Sequence, residues 1–96
     1  MPSYRTILTI TGLHSGQRPE TVETAARAAV LESSTLEAFQ VDVVQGEPRV
    51  TIRFTGVDDV DAREIHQRTV TAVREVASAP RAVLGVVRAG KTVPII

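Results

Sequence analysis

The stretch LEAFQVDVVQGEPRVTIRFT, residues 36–55, decides the fold of this chain. Two segments in which apolar and polar residues alternate, 36–45 and 49–55, lie on either side of the turn sequence Gln45-Gly46-Glu47-Pro48. The apolar residues of each segment share one face, and we expect them to point inward: Phe39, Val41 and Val43 in the first, and Val50, Ile52 and Phe54 in the second. The stretch therefore predicts a β-hairpin with one apolar face.

Upstream of the hairpin, the sequence predicts a strand followed by a helix. Tyr4 to Thr11 is rich in β-branched residues and alternates, which is typical of a strand whose inward side includes Leu8 and Ile10. Pro19 occupies a position that suits the first residue of a helix. From there to about Glu32 the apolar residues follow helical spacing: Val22, Ala25, Ala26, Ala29 and Val30.

Downstream of the hairpin, a second helix and a last strand are predicted. Asp61 and Glu64 have the spacing of a capping box, and the helical pattern continues to about Ser78, before Pro80 ends it. Arg81 to Ala89 is rich in Val and apolar on both sides. Such a strand is expected to be buried on both faces or to have its edge covered by a partner.

The predicted order is strand, helix, strand, strand, helix, strand, which is typical of an α+β ferredoxin-like βαββαβ sandwich. Right-handed crossovers would give a four-stranded antiparallel sheet with both helices on one face. We expect a single ferredoxin-like domain over residues 1–90 and an apolar C-terminal tail over residues 91–96. The tail is expected either to fold over its own sheet edge or to dock on a neighbouring subunit.

Charge and composition restrict the partners. The chain of 96 residues has 11 Lys and Arg against 11 Asp and Glu, a formal net charge of +0. This balance disfavours nucleic-acid and membrane-surface partners, which attract proteins with excess positive charge. There is no cysteine, and the two histidines lie in separate segments, so no metal site and no cofactor are predicted. The lack of a leader-like N-terminus and of a long apolar stretch favours a cytoplasmic location.

Two groups of residues are candidate binding sites. The polar face of the predicted sheet places threonines and arginines together, and it is interpreted as a solvated surface, an anion site or a polar dimer contact: Arg5, Thr9, Arg49, Thr51 and Arg53. No aromatic residue that could stack RNA bases lies on it. The loop from Gly12 to Arg18 enters the first helix, whose N-terminus favours anions. Its candidate ligands for a small anion are His14, Ser15 and Arg18, although the glycines also suit a tight crossover.

The region from Phe39 to Thr69, with its Gln45-Gly46-Glu47-Pro48 turn and with Asp61, Ala62 and His66 on the following helix, resembles dimeric α+β barrel proteins. That group includes small cofactor-independent monooxygenases, so the resemblance implies a dimer and makes His66 a candidate catalytic residue. A structural or surface role is the alternative for His66. The chain departs from the group on the open sheet face, where arginines replace apolar residues and Thr55 replaces an aromatic one.

These observations favour a non-enzymatic association module, either a homodimer or larger homo-oligomer, or a subunit that binds another protein. The core of small residues, the uncharged end of the tail and the lack of a recognisable catalytic constellation all support this hypothesis. Two alternatives stay open. One is a small-ligand-binding regulatory domain that holds an anionic metabolite on the Gly12–Arg18 loop. The other is a small barrel-type enzyme that uses His66 or an arginine of the sheet face to polarise its substrate.

Overall fold

Seven strands and two helices follow one another along residues 1–96, all of which the computed structural model describes. Together they form a compact α+β domain with an antiparallel sheet, which confirms the predicted class. Neither helix has the length and apolar character needed to cross a membrane. In chain order the elements are β1 (Ser3–Thr9), β2 (Gly12–Leu13), α1 (Pro19–Leu31), β3 (Leu36–Val44), β4 (Glu47–Thr55), α2 (Asp59–Arg74), β5 (Ala77–Ser78), β6 (Arg81–Arg88) and β7 (Lys91–Pro94).

The main sheet has five strands in the order β3-β4-β1-β6-β7, and every neighbouring pair is antiparallel. The predicted four-stranded ferredoxin-like sheet is therefore wrong in its strand number. The C-terminal segment adds β7, and β2 pairs with β5 in a separate two-stranded ribbon. These additions escaped prediction because two- and four-residue strands are too short to show a period-2 pattern.

The β3–β4 hairpin is confirmed, with a tighter turn than predicted. Its loop consists of Gln45 and Gly46 alone, and both have positive φ, 53° and 80°. Two successive residues with positive φ make the type I′ turn, whose twist matches that of the flanking strands. Glu47 and Pro48, predicted in the turn, belong to β4 instead.

Both helices pack on one side of the sheet and cover its centre. The inward residues predicted on β4 are buried: Val50, Ile52 and Phe54. They pack with Leu8 of β1 and with apolar residues of the helices, including Val30 and Ile65. The prediction for β3 holds for Phe39, which is partly buried and packs against the core, and is wrong for Val41 and Val43, which are exposed. β3 is the outermost strand on its side, and the helices do not cover these two valines.

The N-terminus of α2 is capped three positions earlier than the predicted capping box of Asp61 and Glu64. Asp58 is the N-cap residue, and its side chain accepts a hydrogen bond of 2.9 Å from the Asp61 N–H. The Asp61 carboxylate in turn accepts from the Val57 N–H at 2.9 Å. The backbone N–H groups of Val57 and Asp61 at the start of the helix thereby have hydrogen-bond acceptors. The helix ends at Arg74 rather than near Ser78, because Ala77 and Ser78 pair with β2.

The C-terminal tail folds onto its own sheet edge as β7. Arg5 donates hydrogen bonds to the Gly90 carbonyl at 3.3 Å and to Thr92 Oγ1 at 2.9 Å. Beyond the strand, the Ile95 N–H donates to the Leu84 carbonyl at 2.8 Å. The methyl group of Thr92 lies over Gly85, which has no room for a Cβ atom. The edge of β6 that the sequence left open to a partner is thus covered by the chain itself.

Candidate functional site

His66, the candidate catalytic residue, lies inside the core. It projects from α2 with only 4% of its surface exposed, and its Nδ1 lies 2.8 Å from Thr6 Oγ1 on β1. Burial lowers the pKa of His66 to about 4, and the positive charge of Arg74 acts in the same direction. The imidazole is therefore neutral near pH 7, with one N–H donor and one acceptor nitrogen.

The side chain of His66 lies apart from the four main surface clefts of the molecule. Neither His66 nor Thr6 lines any of these clefts, so a molecule bound in one of them would not contact the imidazole ring. A barrel-type enzyme would need an enclosed pocket that contains His66. The geometry instead fits a structural pair, in which a buried hydroxyl and a buried imidazole satisfy one another.

The predicted anion loop is exposed and partly used by the fold. The His14 N–H donates to the Val76 carbonyl at 2.9 Å, and its ring Nδ1 lies 3.1 Å from the Glu75 carbonyl. Because a carbonyl only accepts, Nδ1 carries the proton in this contact. Arg18 is the N-cap residue of α1 without a side-chain cap bond, and Glu20 already places a carboxylate in the first turn. Ser15 is exposed in the same loop.

Beside this loop lies an apolar cleft that the sequence did not reveal. It has a volume of about 250 Å³ and lies between the start of α1, the end of β1 and the β3–β4 hairpin. No charged side chain lines it, so its chemistry suits an apolar group rather than an anion. It escaped prediction because Val41, one of its walls, was assigned to the core. Its lining residues are Ile10, Thr11, Gly12, Leu13, Pro19, Val22, Val41, Pro48 and Val50.

The open face of the sheet brings together all the predicted polar residues. Arg5 lies opposite Arg53, and Thr9 lies opposite Arg49, on neighbouring strands, with Thr51 between the two arginines of β4. Several arginines are engaged within the chain. Arg53 Nε lies 3.7 Å from Glu37 Oε1, too far for a hydrogen bond, and that nitrogen is buried without a partner. Arg5 is held by the β7 hairpin.

Arg81 and Glu47 complete the open face and were not singled out from the sequence. Their side chains form an ion pair with an N–O distance of 2.9 Å. Two shallow clefts on this face share Thr9, Arg49 and Arg81, and the first of them also includes Glu47. The mixture of guanidinium and carboxylate groups makes the face polar without strong net charge. A fourth cleft, between the outer sides of α1 and α2, is wide and shallow, and small residues such as Ala25 and Ala28 line much of it.

The outer edge of β3 is the most exposed apolar part of the sheet. Val41 and Val43 are 54% and 74% exposed, and no strand pairs with β3 on its far side. In the two-residue turn, the Glu47 N–H faces the Val44 carbonyl, so Val44 and Glu47 form a hydrogen-bonded pair.

The pairs of an antiparallel ladder alternate between hydrogen-bonded and non-hydrogen-bonded. The backbone N–H and C=O groups of Phe39, Val41 and Val43 therefore point away from β4, toward solvent. Pro48, opposite Val43, agrees with this alternation, because its carbonyl accepts from the Ile10 N–H on β1 at 2.9 Å. The β3 edge, defined as Phe39, Val41 and Val43, combines unpaired backbone groups with exposed apolar side chains.

The sequence carries a signal for this edge that periodicity alone does not contain. β3 alternates apolar residues with Gln40 and Asp42, yet it contains neither Pro nor Lys, the residues that commonly protect an edge strand.

Comparison of the chain with protein-family models, with curated proteins and with solved structures gives no match in any of the three.

Proposed function

We propose that this chain is a non-enzymatic association module that binds a protein through the β3 edge. The observation that carries the proposal is the nine-residue outer strand with Val41 and Val43 exposed and with backbone groups free along one side. Exposed edge strands pair readily with strands of other chains. In this mode of binding, main-chain hydrogen bonds supply affinity, and the alternate side chains supply specificity.

The energetics favour an interface that extends beyond the two valines. Full burial of a Val side chain contributes about 1.5 to 3 kcal/mol, whereas association costs roughly 4 to 15 kcal/mol in lost translational and rotational freedom. The apolar cleft supplies further surface, because Val41 belongs both to its wall and to the β3 edge. Leu13 at the same cleft is also exposed. A partner that covers the edge and part of the cleft would bury one continuous apolar surface.

The ferredoxin-like plan forms part of this proposal. It is supported by the order of the longer elements, β1, α1, β3, β4, α2 and β6, when the short strands are set aside. In that plan β7 is an addition that covers one edge of the sheet, and β3 is the edge that stays available.

A small-ligand-binding role is the second candidate, and the apolar cleft is the observation that favours it. The volume of about 250 Å³ suits a small apolar molecule, or one apolar side chain of a protein. A thermal-shift comparison of apolar and phosphorylated compounds tests this candidate. Stabilisation by an apolar compound that Val22→Asp removes would support it. Stabilisation only by phosphorylated compounds, with a dependence on Arg18, would support the anion loop instead.

Sedimentation velocity of the full chain over a range of concentrations tests the association proposal. The expected result is reversible association in the micromolar range, weakened in Val43→Lys, or one stoichiometric partner that the wild-type chain retains and Val43→Lys does not. Val93→Lys on β7 is the matched control and should behave as wild type. A chain that stays monomeric and has no partner sensitive to Val43→Lys would overturn the proposal.

A further inference from the structure

We propose that the β3 edge binds β3 of a second copy, in antiparallel orientation about a two-fold axis at Val41. This inference rests on the proposed function and adds to it the occupant of the edge and its register. The result would be a continuous sheet across two copies, with the helices of both on the same side. A two-fold interface uses one surface patch twice, so that patch must be complementary to itself. Three properties of β3 meet this requirement.

The first property is the spacing of the free backbone groups. Phe39, Val41 and Val43 direct their N–H and C=O groups outward at every second residue. With the axis at Val41, that residue lies opposite the partner's Val41, and Phe39 lies opposite the partner's Val43. Each residue of the β3 edge then lies opposite a residue of the partner's β3 edge. The two residues of each pair form two backbone N–H···O=C hydrogen bonds with each other.

The second property is the match of the side chains on the two faces. On the helix side of the sheet, the pairs Val41 with the partner's Val41 and Phe39 with the partner's Val43 are wholly apolar. On the open face, Gln40 lies opposite the partner's Asp42, so its amide N–H can donate to that carboxylate. Asp42 forms no ion pair within its own chain and is available for this bond. Such cross-strand pairs stabilise sheets by roughly 0.2 to 1 kcal/mol each.

The third property is the penalty that the neighbouring registers carry. An axis at Asp42 places the two Asp42 carboxylates directly opposite each other, which is destabilising. An axis at Gln40 places Val43 opposite the partner's Glu37, beside the register irregularity between Leu36 and Ala38, so that Val43 gains no partner from the β3 edge. Only the register at Val41 pairs the whole β3 edge without opposing like charges.

The apolar cleft gives the second copy additional surface. Val41 is one of its walls and is 54% exposed, so the cleft is open to solvent along the β3 edge. A strand paired at Val41 would cover this wall. The two clefts of the dimer would then lie on either side of the axis, each shielded by the other chain.

Disulfide trapping tests the register, because the chain has no cysteine and each single substitution introduces one reporter. Directly opposed residues have Cα atoms about 5.5 Å apart, within the range that a disulfide bridges. Under mild oxidation Val41→Cys should therefore form a covalent dimer within minutes. In Val43→Cys the two thiols would be four residues apart, roughly 13 Å, and should not react. A mixture of Phe39→Cys and Val43→Cys should form the mixed dimer.

The outcomes separate this inference from the proposed function. Val93→Cys on β7 measures collisional cross-linking, and circular dichroism confirms that each variant is folded. Cross-linking of Val41→Cys at least tenfold faster than of Val43→Cys or Val93→Cys supports the register. Association of the wild type with faster cross-linking of Val43→Cys would overturn the register and leave the association module standing. A monomeric wild type with only collisional cross-linking would overturn self-pairing, and a partner lost in Val43→Lys would then still support the proposed function.

Discussion

The two edges of the sheet differ in length and in their content of lysine and proline. β7 has four residues, begins at Lys91 and ends at Pro94, which has no N–H to offer. β3 has nine residues and neither Lys nor Pro. Charge, proline and short length are the features by which natural edge strands avoid pairing. The chain thus protects one edge of its sheet and leaves the other open.

The protected edge also depends on a close approach of two strands. A Cβ atom at Gly85 would lie 2.9 Å from the Val93 carbonyl oxygen and would overlap the Thr92 methyl group. Only glycine at this position lets β7 lie so close to β6. Without β7, the apolar strand β6 would be a second unprotected edge. The tail therefore removes one pairing site and leaves β3 as the uncovered edge of the sheet.

The largest effect is expected for Val41→Lys. Self-pairing at Val41 places the two introduced ammonium groups directly opposite each other, and like charges in such a position cost several kcal/mol. The dissociation constant should rise by on the order of 100-fold or more, since 1.4 kcal/mol corresponds to a factor of ten. Sedimentation velocity measures the change, with Val93→Lys as the control on the other edge. Equal effects of the two substitutions would show that the edges do not differ.

The substitution Gly85→Ala should disrupt the pairing of β7 with β6. The added methyl group must displace β7 or distort β6, and overpacking of this kind costs about 1 to 3 kcal/mol. Urea denaturation should show this loss in the free energy of unfolding, and amide exchange in β7 should accelerate. Gly12→Ala is the control, because a Cβ atom there meets nothing within 4 Å. Similar stability of the two variants would refute the role assigned to Gly85.

Acid should lower the free energy of unfolding, because His66 lies in the core of the domain. The pKa of His66 is about 4 in the folded chain and 6.5 in the unfolded one, so the unfolded state binds more protons between these values. The contribution of His66 to the free energy of unfolding should be fully present well above pH 6.5 and fall by about 3 kcal/mol as the pH drops to 4. Urea denaturation at a series of pH values measures this loss.

Two histidine variants assign the acid sensitivity. His66→Gln should flatten the dependence between pH 6.5 and 4, whereas His14→Gln, which alters the exposed histidine, should retain it. An unchanged slope in His66→Gln would show that another group is responsible. This pH dependence reports on the core and not on the β3 edge, because no histidine lies on that edge.

The smallest effect is expected for Tyr4→Phe. The Tyr4 hydroxyl donates a hydrogen bond of 2.8 Å to Asp59 Oδ1, and the ring stacks on Phe54 at 6.0 Å. The substitution keeps the stacking and removes the hydrogen bond, so the free energy of unfolding should fall by about 1 kcal/mol. Association through β3 should not change, because Tyr4 lies on a central strand. A change in dimer affinity larger than the change in stability would contradict this separation.

Tyr4 also predicts sensitivity to alkali. Burial, followed by the hydrogen bond and charge of Asp59, raises the pKa of Tyr4 to about 12 from its usual 10. The folded state then holds the proton more tightly than the unfolded state. The contribution of Tyr4 to the free energy of unfolding should be fully present below pH 10 and decline as the pH rises toward 12. Tyr4→Phe should remove this decline.

The parts of the fold that sequence patterns predicted are those governed by long, regular periods. Residues 49–55 alternate because one side of β4 packs against the helices, and α1 shows helical spacing for the same reason. Periodicity reports which residues share a face but not how much of that face the helices cover. For this reason Val41 and Val43 were placed in the core although α1 does not cover them.

The candidate site was harder to predict for a related reason. The β3 edge depends on where the sheet ends, and the sheet order results from long-range pairing that no local pattern contains. The β7 strand was missed because four residues containing Pro94 do not read as a strand. The hydrogen bond between His66 and Thr6 could not be predicted either, because it joins residues 60 positions apart.

Amide hydrogen exchange at Val41, followed by NMR at increasing protein concentration, tests the central claim most directly. The N–H of Val41 has no partner in the isolated chain and gains one only when a second strand lies alongside. We predict that protection of Val41, and with it Phe39 and Val43, increases with concentration, while the amides of Gln40 and Asp42 and those of β7 are unaffected. Rapid exchange of the Val41 amide at every concentration, in a sample that sedimentation shows to be associated, would contradict pairing through β3.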